Sequence, residues 1–89
     1  MKISEKYKVR EMAGQHVVII QGRNGADMTK IISLNESSLF LWNTFSGRDF
    51  EVADAADALV SQYGIDRELA EHDAVAWCDK LRECRLLAE

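Results

Sequence analysis

The chain has no proline among its 89 residues, only two cysteines and two histidines, and no run of apolar residues long enough to span a bilayer. Each shortage excludes something. Without proline there is no stiff polyproline linker. Cys78 and Cys84 lie six positions apart in what reads as one helix. That spacing sends their side chains to different faces, so they neither bridge nor share a metal. His16 and His72 complete no metal cluster, and no cofactor motif is present. The start, Met1-Lys2-Ile3-Ser4-Glu5-Lys6, lacks the apolar stretch of a signal peptide, so a cytoplasmic location with no membrane contact is the expectation. There is no glycine-rich phosphate loop, no HExxH and no nucleophile elbow. Cys78 and His72 are the only thinkable nucleophile–base pair, and positions i and i+6 diverge on a helix. Glu68, Glu71 and Asp73 read as a solvated acidic face. The chain is expected to bind something and to catalyse nothing.

What is present is apolar and patterned. Apolar residues make up 47% of the chain, enough for one folded domain spanning residues 1–89. Charge is divided unevenly. Residues 1–34 hold six basic and three acidic side chains, and residues 35–89 hold five basic and twelve acidic. The first part is therefore basic and the second strongly acidic, although the whole carries only −4. Such a field opposes duplex DNA at the acidic part.

The stretch Ser33–Gly47 divides two kinds of pattern. Before it, Tyr7–Met12 alternates apolar and charged residues, Ala13-Gly14-Gln15 supplies a turn, and His16–Gln21 is β-branched and suits a central strand. Gly22-Arg23-Asn24-Gly25 contains Asn-Gly, a strong hairpin signal, and Met28–Ser33 is a third strand. A three-stranded antiparallel meander follows, with its third strand at an edge. Asn35 is placed to cap a helix, with Glu36 at the positive end of its dipole. Leu39, Phe40, Leu41, Trp42 and Phe45 make that helix apolar, and Gly47 ends it. Val52, Ala55, Ala56, Leu59, Val60 and Tyr63 form the stripe of a second helix from about Glu51 to Tyr63, stopped by Gly64. Asp66 caps a third helix running to Glu83, with Ala70, Ala74, Trp77, Cys78 and Leu81 as its stripe, and Leu86-Leu87 folds back on the core. The fold class is α+β: a three-stranded antiparallel sheet followed by three helices, the last two fit for a helix-turn-helix.

The order of landmarks resembles the PqqD-like family. These are small recognition elements for ribosomally synthesised, post-translationally modified peptides, including the pyrroloquinoline quinone precursor. The matching residues are Tyr7-Lys8-Val9-Arg10-Glu11, Leu34-Asn35, Leu41-Trp42, Gly47, Leu59, Tyr63, Ile65-Asp66, Asp73, Trp77, Leu81 and Leu86-Leu87. Two positions depart: Arg85 stands where relatives often have glycine, and Ala55 is smaller than the usual branched residue. The resemblance implies a winged-helix-like fold and a peptide chaperone that captures a precursor's leader segment for a modifying enzyme, such as a radical SAM enzyme. It implies that the leader adds as a strand along the third strand, in a cleft closed by the third helix. On this chain the peptide-binding strand is Met28, Thr29, Lys30, Ile31, Ile32 and Ser33. Val75 and Cys78 are apolar contacts from the helix, and Glu71, His72, Asp79 and Arg82 are polar contacts at the rim. The rival expectation is a winged-helix DNA-binding regulator. Its recognition helix, Asp66–Glu83, would carry six acidic residues against three basic ones. The sequence is silent on the precursor, the modifying enzyme and the oligomeric state.

Overall fold

The structure, a computed structural model, describes residues 1–20 and 30–88. Its elements are β1 (Val9–Met12), β2 (Gln15–Ile20), β3 (Lys30–Leu34), α1 (Glu36–Phe45), α2 (Val52–Tyr63) and α3 (Arg67–Glu83). The expected Asn24-Gly25 hairpin and the strand positions Met28 and Thr29 lie outside the described residues.

The sheet has the order β1-β2-β3 with both pairs antiparallel. Ala13 and Gly14, both at positive φ, form the two-residue turn whose twist matches a hairpin. In register, Val18 lies opposite Val9 and Ile32, and His16 opposite Leu34. Strand side chains alternate faces, so this set packs Val9, Val18, Ile20, Ile32 and Leu34 against the helices. Ile31 and Ser33 point the other way, and both are exposed.

Helix α1 begins where the sequence places it. The Asn35 side chain accepts the Ser38 backbone N–H at 2.8 Å, satisfying one of the helix's orphan donors. Leu41, Trp42 and Phe45 are buried, and Gly47 takes φ 78 just beyond the end. Helix α2 opens with the Asp54 carboxylate accepting the Glu51 N–H at 2.8 Å and closes on Gly64 at φ 63. Asp66 occupies the N-cap position of α3, but its side chain makes no capping hydrogen bond, so the expected cap is positional only.

Alanine dominates the contact between α2 and α3: Ala55, Ala56, Ala70 and Ala74 are fully buried. Small side chains let the two helices approach closely. Aromatic rings fill the space below them. Phe45 stacks on Phe50 at 4.9 Å between centroids, and Phe50 meets Trp77 at 5.6 Å.

The segment before β1 is tied to this helical layer. Ile3 bridges Leu87, the Phe50 N–H donates to the Met1 carbonyl at 2.7 Å, and the Ala88 N–H donates to the Lys2 carbonyl at 2.7 Å. Leu86 and Ile3 are both buried there. Arg85, just before them, takes φ 58 in the left-handed region. Glycine suits that geometry without a Cβ clash, whereas arginine is strained there.

Candidate functional site

An edge strand carries a row of backbone donors and acceptors that its own sheet leaves unused. Among the described residues, nothing pairs with the outer edge of β3. The segment before β1 could have covered it, but that segment bridges Asp49 and Leu87 instead. Ile31 on this strand is 57% exposed. Ile32 is half-buried, held by the core, so the strand is anchored by one face and open along its edge.

Two grooves continue from the end of β3, and Asn35 lines both. One, of about 430 Å³, is formed by Gly14, Gln15 and His16 of the first hairpin, Ser33 and Leu34 of β3, Asn35 and Ser38 at the start of α1, and Lys80 of α3. The other, of about 380 Å³, is formed by Asn35, Glu36 and Ser37, by Leu59, Tyr63 and Ile65, and by Leu69 and Asp73 of α3. Leu69 is 49% exposed and Tyr63 37% exposed. The Tyr63 ring meets Phe40 edge-on at 5.8 Å, which fixes its position over the second groove.

The structure places the helix residues expected from the sequence differently from the strand. Leu69, Asp73 and Lys80 share one stripe of α3, since they fall at i, i+4 and i+11. Glu71, Val75, Cys78 and Arg82 form a stripe about half a turn away around the same helix. His72 and Asp79 lie about a quarter turn from the groove stripe. None of these six lines either groove.

Their actual surroundings explain why. Cys78 is 1% exposed and belongs to the core, where burial pushes its thiol above the ordinary range. Glu71 accepts from Arg67 Nε at 3.0 Å, and Arg67 also pairs with Asp57 of α2. These bonds, to Asp57 first and Glu71 second, raise the guanidinium's affinity for its proton. That flank of α3 therefore belongs beside α2. Asp79 and Arg82 pair with each other at 3.2 Å on the surface, and Val75 and His72 face solvent. The periodicity of α3 identifies its buried stripe, but it does not say which of the two flanks turns toward β3. Leu69 is a large apolar residue off the buried stripe, but Val75 on the other flank is another, so the two cancel as signals.

Among the described residues, no three His, Cys, Asp or Glu side chains gather to hold a metal, and no helix is long and apolar enough to cross a membrane.

A sequence model of the family described as Coenzyme PQQ synthesis protein D (PqqD) matches residues 15–87. A solved structure, that of TbiB1 in complex with the TbiA(beta) leader peptide, aligns over 98% of this chain and 94% of its own, with a TM-score of 0.71. Identity to it is 21%, so the likeness speaks for the fold: a three-stranded antiparallel sheet followed by three helices. No protein of curated function matches the chain.

Proposed function

The chain belongs to the PqqD family, and from that premise we propose that it captures the leader segment of a ribosomally made precursor peptide by strand addition to β3 and presents it to a modifying enzyme. The observation that carries this reading is the unpaired edge of β3 running into two grooves at Asn35. An extended peptide laid on that edge completes the backbone hydrogen bonds, each worth about 0.5–1.5 kcal/mol net. Lys30, Ile31, Ile32 and Ser33 supply the edge, and the contacts from α3 come from Leu69, Asp73 and Lys80. The related TbiB1 structure holds a leader peptide, which supports the same kind of ligand here. The protein acts as a peptide chaperone in the cytoplasm and not as a catalyst. A modifying enzyme, radical SAM or another, does the chemistry. A DNA-reading role is disfavoured by the helix that would read it, because Arg67–Glu83 is predominantly acidic.

Proline substitution tests the edge directly. Along an antiparallel strand, successive N–H groups point alternately to the paired neighbour and away from it. Of Ile31 and Ile32, therefore, one donates to β2 and the other faces the open edge. Proline removes the donor. In calorimetry against a leader peptide that binds the native chain, the variant that keeps its melting temperature should lose at least about tenfold in affinity, or 1.4 kcal/mol. Unchanged affinity in both Ile31→Pro and Ile32→Pro would refute strand addition.

A further inference from the structure

The two grooves that meet at Asn35 have opposite electrical character. The groove beside β3 and the first hairpin presents Lys80 and no carboxylate. The groove between the ends of the helices presents Glu36 and Asp73 and no basic side chain. Among the described residues, none of these three charges is in an ion pair. Glu36 has a structural reason to be acidic, since it sits in the first turn of α1. Asp73 caps no helix: it is an exposed residue in the interior of α3, on the same stripe as Lys80.

We propose that this cleft reads charge order in its peptide, taking an acidic residue at the Lys80 end and a basic residue at the Asp73 end, with a bulky apolar residue beside the basic one on Leu69 and Tyr63. The inference rests on the strand-addition reading above and specifies which peptides satisfy it. Asn35 follows β3 directly and lines both grooves, so the two meet where the strand ends. Asp73 and Lys80 are seven residues apart on α3, about 10 Å along its axis. An extended peptide covers that span in about three residues. The preferred ligand thus carries its acid and its base about three residues apart. Like charges brought together at either end repel, so the cleft rejects peptides of reversed order as well as attracting correct ones.

The test is selection from a display library of randomised linear peptides on two proteins, the native chain and the doubly exchanged Asp73→Lys, Lys80→Glu variant. Both positions are exposed, and the exchange leaves net charge unchanged. The native chain should enrich peptides with one charge order, and the exchanged variant should enrich the reverse. Each protein should bind the other's peptides about threefold to tenfold more weakly, as expected for partly screened pairs. One consensus shared by both proteins overturns the proposal. If the double variant melts abnormally, Asp73→Asn and Lys80→Gln read the two ends separately: each should erase the preference at its own end, and no change at either end overturns the proposal. Enriched peptides are also tested on Ile31→Pro and Ile32→Pro. Peptides that need the edge but show no charge order defeat this inference and leave strand addition standing. Peptides indifferent to both prolines, or a library that enriches nothing, defeat both.

Discussion

The helical layer and the β3 side of this protein are built to different rules. Between α2, α3 and the aromatic cluster, almost every inward side chain is buried, and the contacts are closed by alanines and stacked rings. Along β3 only one face is secured, through Ile32 and Leu34, while among the described residues nothing pairs with its edge and Ile31 stays exposed. Close packing makes a region intolerant of change and stable. An unpaired edge contributes little stability and is available to another chain. The difference implies that folding and recognition are carried by separate residues, and that they can be altered independently.

That separation can be broken by experiment. The largest effect belongs to the helical layer: Phe45→Ala, which removes a 3% exposed ring stacked on Phe50, should cost about 3–5 kcal/mol in urea denaturation. Asn35→Ala sits on the boundary between the two regions and should cost about 1 kcal/mol, because the Ser38 N–H loses its acceptor. It should also disturb peptide binding, since Asn35 lines both grooves. Arg85→Gly should stabilise by about 0.5–1 kcal/mol in the same assay, relieving a left-handed backbone without touching either groove. Ile31→Ala should change stability by less than about 0.5 kcal/mol, since the side chain is mostly in water. A stability loss at Ile31 comparable to that at Phe45 would erase the distinction between the regions.

Much of the fold was legible. The Ala13-Gly14 turn, the Asn35 cap, the glycine stops after α1 and α2, and the stripes of α2 and α3 all depend on local chemistry: side-chain reach, positive φ, and a helical period. Boundaries moved by a residue or two: alternation from Tyr7 outruns the ladder of β1, which starts at Val9, and β2 starts one residue early at Gln15. The candidate site was legible in part. An edge strand can be read from strand order, because the last strand of a meander has only one neighbour. The helical wall could not be read the same way.

Glu71, Val75, Cys78 and Arg82 satisfy the periodicity of α3 as well as Leu69, Asp73 and Lys80 do. Nothing within one helix distinguishes its two flanks. The sequence by itself determined most of the buried helical stripes, where the helices start and stop, and that β3 follows β2 at an edge, since these follow from local propensity and hydrophobic period. Only the tertiary structure decided which flank of α3 faces the grooves. That orientation depends on how α3 rolls against α2, where four alanines allow close approach and Arg67 joins Asp57. Packing between distant segments has no signature in either segment alone.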